Sequence, residues 1–311
     1  MVRNPLLKYS VLDIVKNASV YGSKYFKQYH FYKMLFLVYS ELKKVDIDIK
    51  LPYSWYFYGD LPDAQTFEYM TGGSLGYYTP GQGMLPRIDQ LPDLGIEEQT
   101  RKKIDDVVKN EYSKITSDGR FRKNYGDILL KSTYDEAPFE FQRVFNRGLL
   151  QYVQKFKTEE GQSTLSVLSF DFTELNKIGR FLDELMVVYP EDEMPEIYDL
   201  FLRWEDTVRL TILEDHSKMI DVIENFWKTF CGLLRIKKNE NVLPHVVEQW
   251  EKEYFMTTLP EYERELKNVR KLLLHRHLEV NPVGKNTRDN VDNLMKLARD
   301  LALEIHEAKG A

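Results

Sequence analysis

Arg270 and His275 are the two side chains whose types and spacing best suit chemistry. A guanidinium is planar, permanently charged and able to grip an oxyanion through two parallel N–H bonds. An imidazole ionises near neutrality and so passes protons in either direction. Such a pair could hold developing negative charge while a proton moves. Lys271-Leu-Leu-Leu274 separates them, Arg264 and Lys267 precede them, and Arg276 and His277 follow. Their spacing works against cooperation. Residues five apart on an α-helix are turned by ~140° from one another, so the two share a face only if the helix breaks or distorts near His275. The plainer alternative is a solvated basic face ending a helix, where cations meet the negative end of the dipole.

Other chemistry is sparse. The single cysteine, Cys231, excludes an intrachain disulfide and a cysteine metal cluster, and its apolar surroundings, Phe226 to Leu234, mark it as a buried core thiol. Glu191, Asp192 and Glu193 crowd one loop, and Asp215 and His216 lie at a helix boundary. His216, His245 and His306 are scattered, and neither H-E-x-x-H nor E-x-x-H occurs. No metal and no cofactor is expected. There is no G-x-S-x-G elbow. The glycine-rich stretch 71–83 carries no lysine and is interrupted by Pro80, with Pro86 beyond, so it is a turn-rich connector or wing rather than a phosphate loop. Arg120, Arg122 and Lys123, beside Tyr125, read as a solvated loop.

These residues sit on a chain of 311 with 43% apolar and 30% charged residues, which predicts a globular protein of two domains, with one as the alternative. The net charge of −6 argues against general affinity for nucleic acid. No apolar run approaches the ~20 residues of a membrane span, and the N-terminus has no apolar leader. A cytoplasmic protein without a membrane partner is expected.

Residues 29–62 are the stretch around which the rest is organised. Phe31, Leu35, Val38 and Leu42, flanked by Met34 and Leu37, predict a helix with one broad buried face. Asp46, Asp48 and Pro52 end it. Tyr53 to Tyr58 predicts an aromatic strand, Gly59 stops it, and Asp60-Leu-Pro62 predicts a turn entering a helix at Asp63. Helices are also predicted over 4–17, 96–115, 126–134 and 138–156. The polar segment 157–163 marks a domain boundary. Beyond it, helices reach to 188 and cover 195–213, 218–234, 245–254, 260–277 and 287–308, with 239–244 as a link. The expected fold is mainly α: a winged-helix-like domain with a small β-sheet over 1–157, followed by a helical bundle over 164–311.

Lys33-Met-Leu-Phe-Leu37 followed by Trp55-Tyr-Phe-Tyr-Gly59 resembles the N-terminal part of Panacea (SocA-like) antitoxins and YwgA-like proteins, over residues 8–75. Asp60 departs from the family, which usually has proline there. The resemblance implies a helical, winged-helix-like core and a protein partner, in neutralising a toxin, adapting a protein for proteolysis or serving a mobile defence locus. Trp55, Tyr56, Tyr58, Gly59 and Asp60, with the loop 71–92, are then the partner-binding candidates; the alternative is that Trp55 and Phe57 are core. The R-x4-H string at Arg270 and His275 is similar to the motif of HEPN ribonucleases, whose pair faces a dimer groove. That similarity implies a metal-independent ribonuclease toxin, with Arg270 holding the scissile phosphate and His275 moving protons. Lys271 departs from the polar asparagine, aspartate or histidine that often follows the arginine in that family. A third reading, a DNA-binding regulator, would need a basic helix from Lys24, Lys27, Lys33, Lys43 and Lys44. The leading expectation is a non-enzymatic protein-binding or regulatory protein, with RNA as a partner only under the ribonuclease reading.

Overall fold

The first helical layer forms around a helix whose apolar residues recur every three or four positions. In the computed structural model, which describes residues 3–20, 28–56, 59–72, 88, 90–117, 131–154, 172–214 and 216–280, this is α2 (Gln28–Lys44). It buries Phe31, Met34, Leu35, Val38, Tyr39 and Leu42. Against it pack α1 (Pro5–Val20) and α4 (Glu98–Ser117). Asn4 caps α1 by accepting the Leu7 N–H at 3.0 Å, and Pro5 follows where a missing donor costs nothing. Tyr112 of α4 donates to the Ile14 carbonyl of α1 at 2.9 Å.

A Schellman turn ends α2. The Ile47 N–H reaches back to the Leu42 carbonyl and the Asp46 N–H to the Lys43 carbonyl, with Asp46 at φ 60°. Aspartate is one of the few side chains to tolerate that left-handed position. Ile47, Ile49 and Leu51 then bury themselves as the chain enters the sheet.

The sheet has three antiparallel strands in the order β2-β1-β3. Strand β1 is Tyr53–Tyr56 and β2 is Gly59–Pro62, with Tyr56 opposite Gly59 and Tyr53 opposite Pro62. Asp60-Leu-Pro62 is therefore a strand, not the turn that its composition suggested. Proline is tolerated there because β2 is an edge strand. Asp63 accepts the Thr66 N–H at 2.7 Å and caps α3 (Ala64–Thr71), which Gly72 closes at φ 80°. Strand β3 is Asn239–Glu240, from the far end of the chain, in the segment expected to be only a link.

The second half is helical. Helix α5 (Glu140–Arg143) passes into a π turn at Val144–Leu150. Then come α6 (Phe172–Val188), a 3₁₀ turn at Pro195–Ile197, α7 (Tyr198–Glu214) and α8 (His216–Lys237). Helix α9 (Pro244–Glu253) runs through a second π turn, Tyr254–Thr258, into α10 (Leu259–Val280). Pro260 was expected to open a separate helix. Instead the wider turn just before it relieves the clash that a proline ring makes with the carbonyl four residues back.

The protein is mainly α with this small sheet. One continuous apolar cluster joins residues from both halves. Its centre is aromatic: Phe145 stacks on Trp227 at 4.9 Å, Trp204 on Phe226 at 4.5 Å and Tyr189 on Phe201 at 4.4 Å. The proposed boundary at 157–163, most of the glycine-rich loop, the basic cluster at 120–123 and the last predicted helix at 287–308 lie outside the described residues. Among the described residues no helix is long and apolar enough to cross a membrane.

Two packing details give tests. Gly232 of α8 lies under the buried Tyr254 ring, where a Cβ would stand 2.9 Å from a ring carbon, whereas a Cβ at Gly179 of α6 would meet nothing within 4 Å. Gly232→Ala is expected to destabilise by about 1–3 kcal/mol, and Gly179→Ala to stabilise by roughly 0.5–1 kcal/mol, both measured by denaturant unfolding. Asp13 of α1 is buried against α4, with one carboxylate oxygen lacking a partner among the described residues. Burial, and then Asp105, push its pKa up to about 7, against the opposing pull of Lys16, Lys109 and Asn17. The folded chain thus keeps a proton that the unfolded chain releases near pH ~3.9. Stability from this site is complete below that pH and is lost as pH rises through about 7. Asp13→Asn should raise the melting temperature at pH 8, by the equivalent of on the order of 2–4 kcal/mol, and change it little at pH 4.

Candidate functional site

The Arg270–His275 pair is not assembled within the chain. Helix α10 is regular from Leu259 to Val280, so the two side chains keep their ~140° separation. The Arg270 guanidinium is engaged by Asp206 of α7, while His275 is exposed. Cys231 is fully buried, and burial pushes its thiol pKa well up, away from nucleophilic use. Among the described residues no group of three or more His, Cys, Asp or Glu converges as metal ligands would. The lysines needed for a DNA-reading helix are otherwise committed: Lys33 is buried, Lys43 pairs with Glu240 and Lys44 with Glu41. Lys24 and Lys27 lie outside the described residues.

The strand at 53–56 divides its aromatic residues between inside and outside. Trp55 meets Phe36 edge-to-face at 5.6 Å, and Tyr53 meets the same ring at 5.0 Å. Trp55 is only 4% exposed, so of the two readings of this ring the core one holds and it forms no part of a contact surface. Strand alternation turns Tyr56 the other way, and it is 36% exposed. Gly59 and Asp60 stand opposite Tyr56 and Trp55 on β2, and Tyr58 lies outside the described residues.

Tyr56 is not alone on that surface. The Arg235 guanidinium, from the last turn of α8, lies 5.2 Å from its ring centre and 3.6 Å from that of Trp250 on α9. The cation is thus in contact with two aromatic rings, an attractive arrangement because the ring face is electron-rich. Three elements distant in sequence supply the trio, so no local motif announced it. The one available signal was Trp250 itself, a large ring on a short helix otherwise rich in charge.

A hydrogen-bonded seam holds this trio in register. Glu240 of β3 accepts Tyr39 Oη at 2.6 Å, Tyr53 Oη at 3.0 Å and Lys43 Nζ at 2.7 Å. The Trp55 N–H donates to the Lys238 carbonyl at 3.0 Å, and Asn241 Nδ2 to the Leu51 carbonyl at 3.0 Å. Farther along, the Leu243 N–H donates to Thr66 Oγ1 at 3.2 Å. A cavity of about 320 Å³ opens beside Glu240, between the aromatic floor of Phe36 and Trp55 and the Lys238 side. Burial alone would raise the Glu240 pKa, but the bonds from Lys43, Tyr39 and Tyr53 hold it below its usual value.

Glu240→Ala should leave both tyrosines and Lys43 without their acceptor and loosen β1. The expected readout is faster amide exchange over 51–56, with exchange across α7 unchanged. In the parent protein this clamp is in force above the ordinary glutamate pKa of ~4.3. It is lost as pH falls through the depressed folded value, so exchange at 51–56 should quicken there too.

No protein-family model matches this sequence, and no curated protein and no solved structure matches the chain.

Proposed function

We propose that the chain is a non-enzymatic protein-binding or regulatory protein whose contact surface centres on Tyr56, Arg235 and Trp250. The observation that carries this reading is the trio itself, an exposed Tyr56 ring with the half-buried Arg235 and Trp250 beside it. Tyrosine, arginine and tryptophan are the residue types that dominate binding hot spots, because each offers large contact area together with a polar group. Here the three are mounted on two helices and a strand rather than on loops, so little conformational entropy is lost on binding. The likeness of 33–37 and 55–59 to Panacea antitoxins supports a toxin–antitoxin or antiviral setting. The separation of Arg270 from His275 favours binding over ribonuclease catalysis.

The test is site-specific photo-cross-linking in cells that make the protein natively, with the photoreactive residue in place of Tyr56 or, as a control, of exposed Asp192. Discrete protein adducts from position 56 alone, lost on Trp250→Ala, are the expected result. Absence of adducts at position 56, or an RNA-cleaving activity of the purified protein that Arg270→Ala abolishes, overturns the reading.

A further inference from the structure

We propose that the Arg235 guanidinium, between Tyr56 and Trp250, is a receptor for a carboxylate side chain on an acidic peptide segment of the protein partner. This rests on the binding role above and specifies its chemistry.

Arg235 differs from five other arginines of the structure, and shares with Arg101 a buried Nε without an acceptor. Arg143, Arg147, Arg203, Arg209 and Arg270 each hold a carboxylate. Among the described residues the Arg235 guanidinium makes no hydrogen bond or ion pair, and its Nε is buried without an acceptor. Among the described residues only the Nε–H is buried without an acceptor, so the terminal N–H groups of this half-buried side chain are the ones an anion can reach. Burial lowers the Arg235 pKa. Aromatic contacts occupy the faces of a guanidinium, whereas a carboxylate meets its N–H edge in plane through two parallel bonds. The two ring contacts and an in-plane carboxylate are therefore compatible.

The charges nearby select among anions. Asp63 and Glu253 lie close enough to act on Arg235 electrostatically. Asp63 accepts the Thr66 N–H at the cap of α3, and neither carboxylate bonds the guanidinium. Their field opposes a doubly charged phosphate more than a singly charged carboxylate.

The experiment follows arginine Nε–H resonances in full-length protein labelled with ¹⁵N-arginine, with the Arg235 signal identified by its loss in Arg235→Met. Acetylated hexaglutamate is the probe. Hexalysine, inorganic phosphate and a hexauridylate RNA are the comparisons. Hexaglutamate should move the Arg235 signal saturably and displace the Tyr56 cross-linked partner. Arg235→Lys, which keeps the charge and loses the fork, should weaken the peptide by roughly tenfold or more. Amide exchange over 51–56 confirms that the Lys variant keeps its fold. No movement with hexaglutamate, equal affinity in Arg235→Lys, or movement with phosphate or RNA but not with the peptide overturns the proposal. A Tyr56 adduct that forms but resists hexaglutamate sinks the carboxylate assignment and leaves the binding role standing. Absence of any adduct removes the binding role itself.

Discussion

One carboxylate determines where the surface of this protein lies. Tyr39 and Lys43 of α2 and Tyr53 of β1 all donate to Glu240, a residue 187 to 201 positions further along the chain. The lysine pair alone would contribute little, since its side chain is 43% exposed and solvent screens it. The two tyrosyl bonds matter more, because each hydroxyl stands on a ring packed into the core and would be left poorly hydrated without its acceptor. Once Glu240 is held there, β3 pairs with β1 in a single register. A slip of one residue would exchange the faces of Trp55 and Tyr56, sending an indole outward and a phenol into the Phe36 contact. The clamp therefore decides which aromatic ring the protein presents.

The helical half supplies the other side of that surface through unusually close packing. Tyr254 lies on Gly232 and Phe181 on Gly148, and both contacts involve a π turn. A π turn places one extra residue in a helical turn, which shifts the phase of the side chains that follow. Across Tyr254–Thr258 this lets α9 and α10 continue as one rod while their buried faces, Val246 on one and Tyr262, Leu266 and Leu273 on the other, meet the bundle. Trp250 lies on the near side of the turn and α10 on the far side. The same local widening that admits Pro260 thus separates the helix bearing Trp250 from the helix bearing Arg270.

Local periodicity made the helices legible. The spacing of Phe31, Leu35, Val38 and Leu42 identified α2 and its buried face, and Asp46 marked its end, although the Schellman geometry is visible only in the backbone. What sequence could not reveal was pairing across long separations. Gly59-Asp-Leu-Pro62 has the composition of a turn, and its strand conformation comes from β1 beside it. Asn239–Glu240 is too short to carry any alternation. Both strands exist because partners are available, not because of intrinsic preference. The same limit applied to function. The R-x4-H string was visible because its residues are neighbours in sequence, yet the helix turns them apart. Tyr56, Arg235 and Trp250 were invisible as a group because the fold alone brings them together.

The two arginines differ in what already answers their charge. Arg270 has a carboxylate on the adjacent helix, so its charge is already answered and a ligand would have to displace Asp206. Among the described residues the Arg235 guanidinium meets two rings and pairs with no carboxylate. Cation–π contact stabilises a guanidinium by about 0.5–2 kcal/mol, but it offers no acceptor for the N–H groups. The rings thus restrain the side chain and reduce the entropy that a ligand would otherwise have to remove, while its donors stay available. Among the described residues this is a restrained cation whose guanidinium has no acceptor, beside an exposed tyrosine whose face is fixed by the Glu240 clamp.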